Sequence, residues 1–398
     1  MTTSAAAPPG TVSSARAWTM LALGVAAQAA GALAVAAPAF FIPLLTHQGV
    51  SLTTAGLLAG APTFGMVLTL ILWGAITDRI GERTVIAGGL VLTTLAIVGA
   101  FAAAGSPVLL GLAFLLGGMT SASTSAASGR VVVGWFPKHR RGLAMGIRQM
   151  SQPLGVTLAA LTVPTIAETD GIRAALVLPM LLTAVLAVLC AIAIRNPPRP
   201  ARTVAAIENP YRTSGFLWRI HTVSLLLVIP QFTLSTFGLV WLTNDLGWSA
   251  LAAGILVGTS QFIGALGRIA VGVWSDQAGS RVGPLRIVAL SAAAVMALLA
   301  VVDATHLAVA AVFLVIATAV TVADNGLAYT SVAEAAGPFW SGRALGAQNT
   351  GQFLAASAVG PGVGALVGVL GFAGSFLVVA AIPLLALPIV PKADREHG

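Results

Sequence analysis

Gly74-Ala75-Ile76-Thr77-Asp78-Arg79-Ile80-Gly81-Glu82-Arg83 is a small charged island between two apolar runs, each long enough to cross a bilayer. A second island, Gly272-Val273-Trp274-Ser275-Asp276-Gln277-Ala278-Gly279-Ser280-Arg281, repeats its skeleton: glycine, three residues, aspartate, two residues, glycine, one residue, arginine. The offset (272 minus 74, or 198 residues) is half of the 398-residue chain. An echo at half length marks two copies of one membrane unit.

Composition agrees. Only 8% of residues are charged, 57% are apolar, and the mean hydropathy is +0.95. A soluble domain carries about 25% charge, so this is a polytopic membrane protein and not a globular enzyme with an anchor. The net charge of +8 does not mark a nucleic-acid partner, because no basic patch is interleaved with aromatics. Cys190 stands alone in an apolar run, which leaves no disulfide framework and no cysteine-based metal site.

At about 20 apolar residues per crossing, the chain divides into twelve spans: 18–45, 52–76, 84–104, 107–134, 143–166, 174–194, 216–243, 250–274, 285–302, 306–334, 343–368 and 373–391. The fold class is therefore an all-α membrane protein, with twelve transmembrane helices in two pseudo-symmetric six-helix bundles. Residues 1–15 read as a disordered tail, 16–194 as the first bundle and 195–215 as a proline-rich linker. Residues 216–391 read as the second bundle and 392–398 as a short tail. A signal peptide is the alternative for the first run, since Arg16 precedes it and Ala34-Val35-Ala36 resembles a cleavage site. The run continues apolar through Phe40, Phe41 and Ile42, as a membrane helix does.

Charge sets the orientation. Sixteen Lys and Arg residues fall in connections and termini on one side, against Arg173 alone on the other. The positive-inside rule puts the sixteen-charge side, with both termini, in the cytoplasm of a cell inner membrane, facing anionic lipid. Arg130, Arg148 and Arg268 remain inside spans, where a charge costs several kcal/mol unless it has a partner or a wet cavity.

Thirteen strongly polar residues lie within spans. In the first half they are Gln28, Arg130, Arg148, Gln149 and Gln152. In the second they are Gln231, Gln261, Arg268, Asp324, Asn325, Gln348, Asn349 and Gln352. Spans three, six, nine and twelve hold none, which puts those four against lipid and the others around an aqueous path.

The paired islands, the long central connection and the twelve spans resemble the major facilitator superfamily over essentially the whole chain. The resemblance implies two rocking bundles around a central cavity. It also implies a cytoplasmic latch in which Asp78 and Arg83 lock the inner side of the outward-facing state. Glu82 departs from the family, which usually carries a basic residue there.

From the residues themselves, Asp78, beside Arg79 and Arg83, is placed to pair across the interface between halves, with Asp276 and Arg281 as the second copy. Glu334 and Arg343 flank a later loop and form a candidate gate pair. The bland reading of all these charges is topology alone. Arg148 and Gln152 share a helix face beside Gln149, and Gln348, Asn349 and Gln352 repeat those positions at an offset of 200. The two ladders are expected to face one another; hydrogen bonds between helices are the structural alternative. Arg130 follows a run of small residues and either snorkels to the interface or serves as a ligand.

Arg268, eight residues before Asp276, resembles the substrate arginine of the oxalate/formate and monocarboxylate branch, and its forked guanidinium suits a carboxylate. Span eleven lacks that branch's lysine, so dicarboxylate exchange is not expected. A purely structural pair of Arg268 with Asp324 is the alternative. Asp324 is the candidate proton-coupling group.

The expected substrate sites are thus Arg148, Gln149, Gln152, Arg268, Gln28, Gln231, Gln261, Asn349, Gln352 and Arg130. The expected protein is a monomeric, proton-coupled secondary transporter of a small organic anion, with no cofactor or metal. A proton-coupled multidrug antiporter is the alternative, but its fifth-helix motif is missing, with Gln152-Pro153-Leu154-Gly155 in its place. An ATP-driven pump is excluded by the lack of a phosphate-binding loop. His47, His139, His221, His306 and His397 are too scattered to build a metal enzyme.

Overall fold

The computed structural model describes residues 14–50, 52–197, 208–305 and 309–395. Most of the expected N-terminal tail, residues 198–207 of the expected linker and residues 396–398 lie outside the described residues. Among those described, the regular structure is helical throughout.

The first crossing combines α1 (Ser14–Ala36), a 3-10 turn (Ala37–Phe41) and α2 (Ile42–His47), interrupted where Pro38 enters the chain. Helix therefore begins inside the segment expected to be a tail. Next come α3 (Leu52–Ile80), α4 (Glu82–Ala102) and α5 (Pro107–Trp135). Ser106 caps α5, accepting from the Leu109 amide, with Pro107 at the first helical position. The fifth crossing begins as α6 (Lys138–Gln149) and continues into α7 (Ser151–Ala193).

In the second half a short α8 (Pro210–Thr213) leads to α9 (Phe216–Val240), α10 (Ala250–Ala278) and α11 (Val282–Ala304). The tenth crossing is split into α12 (Ala310–Thr321) and α13 (Asp324–Ala336). The last helix is α14 (Ser341–Ala386).

Ten stretches are long and apolar enough to cross a membrane, and two of them, Lys138–Ala193 and Ser341–Ala386, are long enough to do so twice. Each long stretch reverses at a glycine, Gly171 (φ 83°) or Gly371 (φ 68°), at equivalent places in the two halves. Only glycine enters that backbone region without strain. The result is twelve crossings in two six-helix bundles.

Crossings three, six, nine and twelve present Leu95, Val185, Leu290 and Leu377 outward, as lipid-facing helices should. One feature differs from the sequence reading. Because α11 continues to Ala304, the ninth crossing carries a buried acid, Asp303, whose carboxylate accepts a hydrogen bond from Trp241 Nε1 at 2.6 Å. The bundles meet along α3 with α14 and α6 with α10, and the contacts concentrate at the end that carries the two islands.

Candidate functional site

At this charged end, α3 runs on through Asp78 to Ile80, so Asp78 lies on helix and not in the loop after it. Its carboxylate accepts from the amides of Gly342 (2.9 Å) and Arg343 (3.1 Å), the first turn of α14 in the other bundle. Those amides are among the unsatisfied donors that open any helix, and the helix dipole favours an anion there. Asp276 does the same in reverse, accepting from Gly142 and Leu143 of α6, both at 2.9 Å.

Each clasp needs the backbones almost in contact, and glycines allow this. A Cβ on Gly74 would stand 2.2 Å from the Gly342 carbonyl oxygen, and one on Gly142 at 2.2 Å from that of Gly272.

An arginine braces each clasp. Arg130 of α5 lies 3.2 Å from both Asp78 and Glu82 and donates to the Pro338 carbonyl of the opposite bundle (2.8 Å). Arg281 contacts Asp276 (2.7 Å) and Glu334 (3.3 Å) and donates to the Lys138 carbonyl opposite (2.8 Å). Burial works against the Arg281 charge, yet Glu334 and Asp276 outweigh it and raise its pKa. Arg343 reaches Asp78 at 3.4 Å, and Arg141 reaches Glu334 at 3.5 Å. The pairing of Glu334 with Arg343 suggested by the loop is therefore not made, because each finds a partner in the opposite bundle. Arg83 turns away from Asp78, its Nε donating to the Ala191 carbonyl at 2.7 Å, and Arg79 is exposed.

Deeper in the bundle Arg148 is fully buried. Its three nitrogens donate to Ser128 Oγ (2.9 Å), Gln149 Oε1 (2.8 Å) and the Ser125 carbonyl (2.7 Å), all neutral. Its guanidinium lies 5.4 Å from the ring centre of Tyr329, across the divide between bundles. The run of small residues before Arg130 is what lets α5 offer its carbonyls and hydroxyls so closely. Gln28 joins through Ser128 at 2.8 Å.

Arg268 donates to the Gln149 carbonyl at 3.0 Å, while its Nε is buried without a hydrogen-bond partner. Asp324, which opens α13, is near enough to interact with Arg268 electrostatically, yet neither of its oxygens makes a well-formed hydrogen bond. The break between α12 and α13 puts this carboxylate over the first amides of α13.

The expected face-to-face ladders are arranged differently. Gln348 turns to His221, which is bonded in turn to Tyr211 (2.9 Å). Gln352 bonds Ser224 (2.7 Å), Asn325 (2.8 Å) and Tyr329 (2.9 Å), and Asn325 bonds Gln231 (2.8 Å). Asn349 accepts from the Tyr329 hydroxyl. Tyr329 thus joins the two ladders, with its ring toward Arg148 and its hydroxyl in the amide network. Sequence reasoning passed over it. Its only signal was rarity, as one of two tyrosines in the chain and the one inside a span. Gln152 is exposed and Gln261 half-buried; neither enters this network among the described residues.

Two repeated bundles of membrane helices, clasped at one end around a core of buried polar groups, define a multi-pass membrane protein with the architecture of a secondary carrier. The profile of the Major Facilitator Superfamily matches residues 19–361, and the chain belongs to that family. An uncharacterized MFS-type transporter of Mycobacterium tuberculosis is 44% identical over 380 residues, covering 94% of this chain and 84% of the relative. A hexuronate transporter of Bacillus subtilis is 26% identical over 257 residues, covering 62% and 60% of the two chains. Among solved structures, the proton:xylose symporter XylE superposes with a TM-score of 0.76 at 17% identity, covering 96% of this chain and 98% of the other. That likeness shows the fold.

Proposed function

We propose that this protein is a secondary active transporter that carries a small carboxylate-like anion across the cytoplasmic membrane by alternating access. The reading rests on one observation above the rest: Arg148 is buried among neutral partners. A guanidinium has five N–H donors, and a bound carboxylate supplies the negative charge that Arg148 otherwise lacks. Arg268, with a buried Nε that has no hydrogen bond, offers a second arm. The hexuronate transporter among the relatives fits, since a hexuronate is a carboxylate.

In this reading the charged end is cytoplasmic, both termini lie there, and the clasped state is outward-facing. Asp78, Asp276, Arg130, Arg281, Glu334 and Arg343 form its inner gate, with Arg79 and Arg83 at the rim. Gln28, Gln149, Gln231, Asn349 and Gln352 orient the substrate, with Gln152 and Gln261 toward the path. Asp324 couples transport to protons. An anion that takes Arg268 removes the positive charge facing Asp324, and the buried carboxylate is then neutralised by a proton, so that anion and proton travel together. The partners are a small anionic molecule, protons and membrane lipids, and the unit of function is the monomer.

Uptake of a carboxylate panel that includes glucuronate, into membrane vesicles with and without an uncoupler, tests the reading. Accumulation that collapses with the uncoupler and is absent in Arg148→Gln is expected. Transport of lipophilic cations alone would replace the anion carrier with the efflux antiporter.

A further inference from the structure

The clasped end has an unclasped twin at the other end of the same helices. Gly56 precedes Gly74 by 18 residues, and Gly360 and Gly364 follow Gly342 and Gly346 by 18. At 3.6 residues per turn, 18 residues are five full turns, so each returns to the same face of its helix, about 27 Å further along. That distance is close to the roughly 30 Å thickness of a bilayer's hydrocarbon core.

The clasped end also defines a register. Antiparallel α3 and α14 set Gly74 against Gly342, and a Cβ on Gly346 would meet the Leu70 carbonyl oxygen at 2.6 Å. Extended along both helices, the same register sets Gly56 against Gly360 and Gly60 against Ala356. The second interface repeats this arrangement. Gly272 lies against Gly142, and Gly146 against the Arg268 carbonyl; the same register sets Gly254 against Ala160. Gly254 and Gly258 are the half-chain copies of Gly56 and Gly60.

These outer positions are open. Nothing lies within 4 Å of where a Cβ on Gly56, Gly60, Gly254, Gly258 or Gly360 would stand. Gly56 and Gly60 line an apolar groove with Leu57, Phe64, Val108 and Leu112. On the opposite face of α3, Gly65 packs against Leu115 and Met119 of its own bundle, so the Gly56 face looks away from that bundle.

We infer that these faces form a second interaction surface whose partner is the chain's own other half. The helices slide no register. Gly56 and Gly60 of α3 pack on Gly360 and Ala356 of α14, and Gly254 of α10 packs on Ala160 of α7, when the charged end opens. Close-packed glycine faces are a recognised way for membrane helices to meet. Continuity with the interface already built at the charged end identifies the occupant. The inference rests on the alternating-access reading and adds the residues and register of the outer contact.

The test is oxidative cross-linking of the full chain in membranes, in a Cys190→Ala background. Gly56→Cys with Gly360→Cys is expected to cross-link within one chain, at least fivefold more when Asp78→Ala releases the clasp. Val108→Cys with Gly360→Cys, out of register, is expected not to cross-link. If Leu57→Cys with Val369→Cys cross-links and the register pair does not, the outer ends meet in another way; this inference falls and alternating access stands. If no outer pair cross-links even after Asp78→Ala, both fall. Cross-links between two chains would make the face a dimer contact and overturn the inference. Gly56→Leu should leave the melting temperature of the clasped protein unchanged, since its side chain has open space there; a lowered value would also count against it.

Discussion

At Asp78 the bracing arginine comes from a neighbouring helix, whereas at Asp276 it comes from five residues further along the same connection. The acid that completes each brace is exchanged accordingly. Glu82 sits in the first connection opposite Arg130 on α5, and Glu334 sits on α13 opposite Arg281 in the second connection. Each clasp ends with two acids and two arginines, and each arginine reaches the backbone four residues before the clasped glycine of the other bundle: Pro338 before Gly342, Lys138 before Gly142. The repeat has kept the geometry and let the charges trade places. Glu82, odd when set against the family pattern, is the acid this exchange requires.

Removing Asp78 should separate the two clasps most sharply. Asp78→Ala takes the anion from two helix-opening amides and leaves Arg130 and Glu82 buried with less compensation. A loss of about 3–5 kcal/mol is expected for breaking such a buried pair, read by denaturation in detergent. Arg130→Glu should cost nearly as much, because it sets three acids together. Adding Glu82→Arg rebuilds the arrangement of the second half, so the double variant should recover at least half of that loss. A double-mutant cycle should give a coupling of about 2 kcal/mol; strictly additive losses would mean that the exchange of charges carries no energetic meaning. Glu334→Gln should cost about 1–2 kcal/mol, since Arg281 keeps Asp276. Arg343→Ala should cost under about 1 kcal/mol, its side chain being 28% exposed and partly supported on Trp340.

Much of this was legible before any coordinates. A bilayer demands about 20 apolar residues per crossing and punishes stray charge, so spans and islands stand out in the residue pattern. Spacing along a helix gives a face, which is how Gln348, Asn349 and Gln352 were grouped. It does not say which neighbour that face meets, and Gln348 turns to His221 while Asn349 and Gln352 turn to Tyr329. The partner of Arg130 was hidden for the same reason: Asp78 and Glu82 lie about fifty residues earlier, brought close only by packing. Tyr329 was missed because a neutral aromatic in an apolar run carries no signal of cost. Asp303 was missed because the apolar run ends before the helix does.

The central claim is that buried guanidiniums in the middle of the bundle hold an anion. Equilibrium binding of a carboxylate panel to the purified protein in nanodiscs, compared with the double variant Arg148→Gln/Arg268→Gln, tests it most directly. The account predicts that at least one carboxylate binds the native protein and that its affinity falls at least a hundredfold in the variant. Affinity that survives the loss of both arginines, or binding of cations alone, would contradict it.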